Sequence, residues 1–367
     1  MRVAAESRAG VAIVGGGPAG LALALALAQK GIQSTIFEAR ARASVRNDRR
    51  VLALSDGARQ ILDWVGVWHR LPKTPIETIH VSQRGGFGRT LLQARELDME
   101  ALGWVVAASD LIAALDQAAT ARNIAYFDGH RVTAADTAAY ALTAFAEGQV
   151  TPGTGSTRDY GQHAVLCNVE VATPHRNVAW ERFTGDGPLA LLPLGEKYSV
   201  VLTCADSIVE EVKALDDPAF LSMLQTRFGS RHRFVAATPR LAYPLGLRYR
   251  PNPMAARQVW LGNAAQTLHP VAGQGFNLAL RDIWELATAL GAAADPGAAD
   301  VLAAYVRGRQ ADRRGAIGFT DLLIHGFATD FPPLRQVRGA SLLALDLLPS
   351  LRGFVARRMI FGARAWP

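Results

Sequence analysis

The sequence predicts an α/β fold, and three observations predict it. A short apolar strand, Val11–Val14, passes through Gly15-Gly-Gly-Pro-Ala-Gly20 into an apolar helix and then into a second strand ending at Glu38. Another strand and glycine-rich helix start, from Val259 to Gly275, lies about 245 residues further on. Between the two, β-type runs such as His163–Ala172 and Ser199–Thr203 are bounded by Gly, Pro and Asn.

The 367 residues suffice for two domains or three, at roughly 100–200 residues each. Half are hydrophobic and 19% are charged, which excludes general disorder. Two cysteines, Cys167 and Cys204, exclude a disulfide framework and a four-cysteine zinc site. Both lie in apolar strand-like runs, read as inert core, and they point to a reducing, cytoplasmic compartment. The 39 Lys+Arg against 32 Asp+Glu give +7. Residues 301–367 hold ten arginines and four acids, so the first 300 residues carry only +1. That excludes a diffuse nucleic-acid surface, and any anionic partner should meet the C-terminal end.

The uncharged run 9–28, preceded by Arg2 and Arg8, has the length of a spanning helix. Gly15 to Pro18 divide it into a strand and a helix, so the chain is not expected to span a membrane. The helix continues to Lys30 and ends at Gly31. Gly15 permits the tight turn, Gly17 lets a pyrophosphate approach the backbone, and Gly20 lets helix and strand pack closely. The helix start offers N–H groups and positive dipole to phosphates. Glu38, 18 residues after Gly20, is placed to accept hydrogen bonds from ribose hydroxyls and to repel a 2′-phosphate. Dinucleotide binding follows, with NAD and FAD both open at this point.

Asp110–Arg122 reads as a helix with Leu111, Ala114, Leu115 and Ala118 on one face. Asp217–Phe228 reads as another, with Pro218 in its first turn. In the second motif, Gly262-Asn263 and His269-Pro270 lead into Gly273-Gln274-Gly275. The helix that follows is apolar at Phe276, Leu280, Ile283, Leu286 and Ala287. Two nucleotide-style helix starts with one adenosine acid imply one long cofactor held at both ends. If its second end is a flavin, this helix start stabilises the anion of the reduced ring. Ala292–Ala299 reads as a small-residue loop, with helices beyond it.

The landmarks GGGPAGLALALALAQKGI, Arg50-Val-Leu-Ala-Leu-Ser55, His80-Val-Ser-Gln-Arg-Gly85, Arg182 to Pro193, Tyr243-Pro-Leu and GNAAQTLHPVAGQGFNLALRD cover nearly the whole chain. They resemble the class A flavoprotein monooxygenases of the ubiquinone-biosynthesis hydroxylase group. The resemblance implies a Rossmann-like, GR2-type FAD-binding domain that is discontinuous, over about 1–75, 100–160 and 255–300. A β-sheet substrate domain would use 76–99 and 161–254, and 301–367 would form C-terminal helices. It implies FAD as cofactor, NAD(P)H as electron donor and no metal. The implied activity is hydroxylation of a polyprenyl phenol of the 2-polyprenyl-6-methoxyphenol type through a flavin C4a-hydroperoxide. Other readings are hydroxylation at another ring position or of a soluble phenol, or a weakly active FAD-binding subunit assembled with other ubiquinone-biosynthesis proteins.

By the same resemblance, Gly15, Gly17, Gly20 and Glu38 hold the ADP half, and Arg50 lies near the FAD phosphates or the flavin entrance. Gly262 and Asn263 serve the ribityl chain, where an aspartate is usual. Gly273, Gly275 and Asn277 border the ring, and His269, Pro270 and Gln274 are the candidate catalytic residues. His269 has a second reading as a structural histidine. Gln266 and Asn277 read more readily as loop-fixing hydrogen-bonders. Glu147-Gly148 stands where the family has Asp-Gly, and the stretch from Ile124 to Glu147 is short enough to predict a missing strand or hairpin. Phe183, Leu191, Leu192 and Pro193 are candidate liners of the substrate pocket. The C-terminal arginines alternate with Leu322, Leu323, Phe327, Leu342, Leu343, Leu347, Leu348, Phe354, Met359, Ile360 and Phe361. One reading is peripheral contact with the inner face of an anionic membrane or with a lipid-carrying partner. The other packs the leucines inward and turns the arginines to water.

Overall fold

The computed structural model describes residues 10–270, 273–327 and 332–362. In chain order the first elements are β1 (Val11–Val14), α1 (Pro18–Gln29), β2 (Ser34–Phe37), α2 (Arg42–Val45), β3 (Val51–Ser55), α3 (Asp56–Trp64), β4 (Thr74–Ile76), β5 (Thr78–Gln83), β6 (Arg89–Gln93), β7 (Gly103–Ala107), α4 (Ala108–Ala121), β8 (Ala125–Phe127), α5 (Ala134–Thr137) and β9 (Leu142–Phe145). The middle holds β10 (Ser156–Val171), β11 (Val178–Thr184), β12 (Gly187–Leu194), β13 (Lys197–Ala205), α6 (Val209–Ala214), α7 (Asp217–Phe228), β14 (Phe234–Ala237) and β15 (Leu241–Tyr249). Last come β16 (Met254–Ala255), β17 (Gln258–Trp260), β18 (Gln266–Thr267), α8 (Gln274–Gly291), α9 (Ala299–Phe327), α10 (Pro332–Leu347) and α11 (Pro349–Phe361).

Six strands form the first sheet, in the order β16-β17-β9-β1-β2-β8. All its neighbouring pairs are parallel except the β16–β17 hairpin. Each residue of β1 is buried, as a central parallel strand covered on both faces requires. α1 is buried along Gly20–Leu27, which explains its unbroken apolar sequence without a membrane. Pro18 opens it, where a missing N–H costs nothing. α1, α3, α4 and α8 share one core with this sheet, built around Leu23, Leu62, Leu115 and Leu286. Between β8 and β9 the described chain forms only the four-residue helix α5 and turns.

A nine-stranded sheet runs β18-β15-β10-β13-β12-β11-β5-β6, with β14 attached to β10. β5 joins β11 in parallel and so unites two distant segments. One face packs on α7, with Tyr198, Phe220 and Leu224 fully buried. The Asp216 side chain accepts the Ala219 N–H and caps that helix. Cys167 and Cys204 lie in this core, where burial lifts the Cys167 thiol to about 12. The other face meets the small sheet β3-β7-β4, through Ala179 and Leu192 against Ile76 and Val105. The nine-stranded sheet and the small sheet therefore share an apolar seam along β3, β4 and β7. Among the described residues, no single helix is long and apolar enough to cross a membrane.

Candidate active site

The first glycine loop has the geometry its sequence requires. Gly15 has φ +111°, and a Cβ there would meet the Ala146 carbonyl oxygen at 2.5 Å. A Cβ on Gly20 would lie 1.8 Å from the Gly15 carbonyl oxygen, so only glycine lets α1 start this close to β1. Gly17 faces open space, with nothing within 4 Å of the same position. The backbone is thus exposed at the helix start, where a pyrophosphate would dock.

Glu38 closes the site from β2. Its Oε2 accepts the Gly16 N–H at 2.8 Å, and its Oε1 accepts Arg40 N at 3.0 Å and Arg40 Nε at 2.9 Å. Burial works to raise this carboxyl, and the hydrogen bonds from Arg40 and Gly16 outweigh it and hold it below its usual range. The acid is ionised and oriented. The Tyr126 hydroxyl, a neighbour that sequence reading missed, donates to the Gly16 carbonyl at 3.4 Å. Glu147 follows β9 beside this loop. Partial desolvation raises its carboxyl, Arg131 and Arg250 oppose the rise, and Glu38 adds to it.

The second glycine motif meets the first at Gly262. Its Cβ position is 3.4 Å from both Ala19 Cβ on α1 and Ala279 Cβ on α8, so the starts of the two helices converge there. The Asn263 side chain makes no hydrogen bond with any described residue, which leaves its amide available at that crossing. Gly273 caps α8 at φ +58°, and its N–H binds the Pro270 carbonyl at 2.8 Å. Gly275 faces open space, as Gly17 does. Pro270 is exposed beside it. Val271 and Ala272, in the same loop, lie outside the described residues.

Other members of the expected site are engaged elsewhere. Gln274 is buried and donates to the Met359 carbonyl on α11 at 2.9 Å. It ties two helices together. Asn277 accepts the Ser55 N–H and donates to the carbonyls of Ala53 and Gly273. It straps α8 to β3 and does so by all of its polar atoms. Arg50 pairs with Asp48 at 2.9 Å and lies near Tyr243 of β15, next to the start of β3. His269 is 1% exposed, and burial drops it to about 4. It stays neutral near pH 7.

The liners divide by strand alternation. Leu191 belongs to the core under α7 and faces away from the seam, while Leu192 faces β7. Ala179 packs on the seam, so its alternate neighbours Glu181 and Phe183 share that face. Glu181 is a residue that sequence reading missed. Burial lifts its carboxyl to about 8, and its Oε1 has no hydrogen-bond partner among the described residues.

A buried ionic lattice supports the second motif. Arg309 on α9 binds Asp282 of α8 at 2.7 Å and Asp312 at 2.6 Å. Arg281 binds Asp312 at 2.8 Å, Gln266 donates to Asp282 at 2.8 Å, and Arg313 donates to Gln266 at 2.7 Å. Arg309, Arg313 and Arg338 are each at most 8% exposed. Exposed large apolar side chains in the same region include Leu322, Leu343, Leu347, Leu348 and Phe354. The C-terminal expectation of inward leucines and solvated arginines is therefore reversed at these positions. Asp330, Arg364 and the side chains of Phe327 and Arg335 lie outside the described residues.

Comparison with known proteins adds identity to this geometry. A family described as an FAD binding domain matches residues 8–157 and 148–320. Ubiquinone hydroxylase UbiL of Rhodospirillum rubrum is 32% identical over 388 residues, which cover 96% of this chain and 90% of that protein. The chain belongs to the class A FAD-dependent monooxygenases of the ubiquinone-hydroxylase family. This monooxygenase is also similar to 3-demethoxyubiquinol 3-hydroxylase of Escherichia coli, at 30% identity over 92% of the chain and 94% of that protein. Among solved structures, PqsL of Pseudomonas aeruginosa, a probable FAD-dependent monooxygenase, shares the fold at a TM-score of 0.74 and 17% identity. That match covers 91% of this chain and 99% of PqsL. FAD is the cofactor of this monooxygenase, and the residues present fit it: two open glycines at converging helix starts, one oriented carboxylate and one available amide.

Proposed function

We propose that this monooxygenase hydroxylates the aromatic ring of a polyprenyl phenol in ubiquinone biosynthesis, with a 2-polyprenyl-6-methoxyphenol type of substrate and NAD(P)H as electron donor. The observation that carries the reading is the near full-length similarity to two hydroxylases named for ubiquinone or its demethoxy precursor. The apolar seam beside the second glycine motif supports it, because a phenol needs a dry wall and a fixed orientation.

Each group of residues has a task in that reaction. Glu38 and the α1 start bind the adenosine and pyrophosphate. Gly275 and the α8 start present N–H groups to the other end, and Asn263 offers its amide between them. Bound FAD supplies the oxygen-activating chemistry. Leu192, Ala179 and Val105 exclude water from the seam, and the Glu181 carboxyl holds its proton there to about pH 8. Asn277 and Gln274 fix the loop against β3 and α11.

The similarity to 3-demethoxyubiquinol 3-hydroxylase favours a second reading, hydroxylation at another ring position. Deleting the gene and identifying the accumulated precursor separates the two. Accumulated 2-polyprenyl-6-methoxyphenol supports the first, and accumulated demethoxyubiquinol supports the second. With purified holoenzyme, phenol-stimulated NAD(P)H oxidation should place one atom of labelled oxygen in the product. Oxidation without labelled product would overturn both.

A further inference from the structure

We propose that the corner between α10 and α11 docks the protein on a lipid bilayer by inserting apolar side chains. The two helices meet at 99°, and Leu343, Leu347, Leu348, Leu351 and Phe354 all stand exposed around that corner. Leu347 is 67% exposed and Phe354 68%. Their sequence together has the length and apolar composition of a broken membrane span.

The ionic groups of the corner show what covers it. From Gln336 to Ala356 the chain holds three charged residues, Arg338, Asp346 and Arg352. The body takes all three. Asp346 accepts the Leu91 N–H of β6 at 3.3 Å. Arg352 binds Glu96 at 3.1 Å and donates to the Asp346 carbonyl at 2.6 Å. Arg338 is 6% exposed. The outward side is left with apolar residues and uncharged Gln336, Ser341 and Ser350. A surface made for water, or for an ionic partner, would turn those charges outward. A hydrocarbon phase takes an uncharged face without further pairing.

The inner sides of both helices are fixed. Leu342, Ala356 and Ile360 are buried, and Gly339 lies against Phe87 and Gly88. The pair therefore lies in the interface and does not span it, with the corner reaching the acyl boundary about 5–10 Å deep. Binding of this kind is apolar and resists salt. The buried arginines of α9 add no electrostatic attraction. The inference rests on this surface and not on the substrate reading.

Full-length holoenzyme should co-sediment with pure phosphatidylcholine vesicles, and should stay bound when salt is raised from about 0.1 M to about 0.5 M. A Leu348→Glu/Phe354→Glu variant with unchanged flavin absorbance and melting temperature should lose at least tenfold in partitioning. If that variant does not fold, Phe354→Trp serves instead: its emission should shift blue and be quenched by brominated lipid. Protein that stays in the supernatant, or a variant that partitions like the parent, overturns the proposal. So does binding confined to anionic vesicles and lost in salt, which assigns attachment to a charged surface elsewhere. A dimer that the double variant dissociates, with no vesicle binding, makes a second copy the occupant and also overturns it. No substrate or NAD(P)H is present, so the outcome is independent of ring hydroxylation.

Discussion

The Gly16 N–H and the Glu38 carboxylate lie 2.8 Å apart, joining the two ends of the dinucleotide fingerprint across 22 residues. The acid is held in place before any ribose arrives. Hydrogen bonds to an ionised group contribute about 1.5–3 kcal/mol. Glu38→Ala should weaken FAD by roughly ten- to a hundredfold on that scale. Titration of the apoprotein with FAD checks it, and unchanged affinity would remove Glu38 from the site.

Gly20 and Gly17 should fail differently. Gly20→Ala places a methyl 1.8 Å from the Gly15 oxygen, so α1 must shift and the melting temperature should fall sharply. Gly17→Ala meets no protein atom, so the apoprotein should melt like the parent and yet hold little FAD. The two curves, with and without added FAD, separate packing from cofactor contact.

The Arg309–Asp282 pair is buried on both sides, at 5% and 2% side-chain exposure. Removing one partner strands the other, at a cost of about 3–5 kcal/mol. Arg309→Met should be strongly destabilising, and Arg309→Met with Asp282→Leu should recover much of the loss. Denaturant unfolding of both variants gives the coupling directly.

Two buried histidines, His80 and His269, and the half-buried His232 should make the protein sensitive to acid. Burial, aided by Arg231 and Arg89, drops His80 to about 4, and burial drops His269 to about 4; His232 is lowered as well. Unfolded histidine binds its proton near 6.5. Between pH 6.5 and 4 the unfolded state therefore holds more protons, and stability falls as pH falls. The loss reaches up to about 3 kcal/mol for each fully shifted group. His80→Phe, which keeps a ring against Trp180, should flatten the melting-temperature profile across that window.

Glu181 has the opposite sign. Its carboxyl is raised from 4.5 to about 8, so the folded state keeps a proton that the unfolded state releases. Stability is full below about 4.5 and declines as pH rises toward 8. Glu181→Gln should raise the melting temperature clearly at pH 8 and should have little effect at pH 4.5. An equal effect at both values would mean that the acid is already ionised.

Local rules carried far along the chain. The glycine loop, the capped helix at Asp217 and the division of residues 9–28 into strand and helix are short-range consequences of sterics and hydrogen bonding. Asn277 was legible as a loop-fixing residue because an amide beside a glycine-rich helix start has carbonyls within reach. Leu191 and Leu192 were not separable, because alternation puts them on opposite faces without naming the face that meets the cofactor. The tie from Gln274 to the Met359 carbonyl was not legible, because that partner lies 85 residues away on another helix.

By itself, the sequence determined the α/β class, the dinucleotide fingerprint and the family, since each is written in contiguous glycines, acids and strand–helix periods. The +7 charge and its concentration after residue 300 were equally plain. Only the tertiary structure decided which way that end faces. Arg309 and Arg313 find Asp282 on α8, Asp312 on their own helix and Gln266 on β18, while Leu347 and Phe354 find no wall to pack on. Helical spacing fixes which residues share a stripe. Which stripe is buried depends on partners that only the folded chain brings within reach.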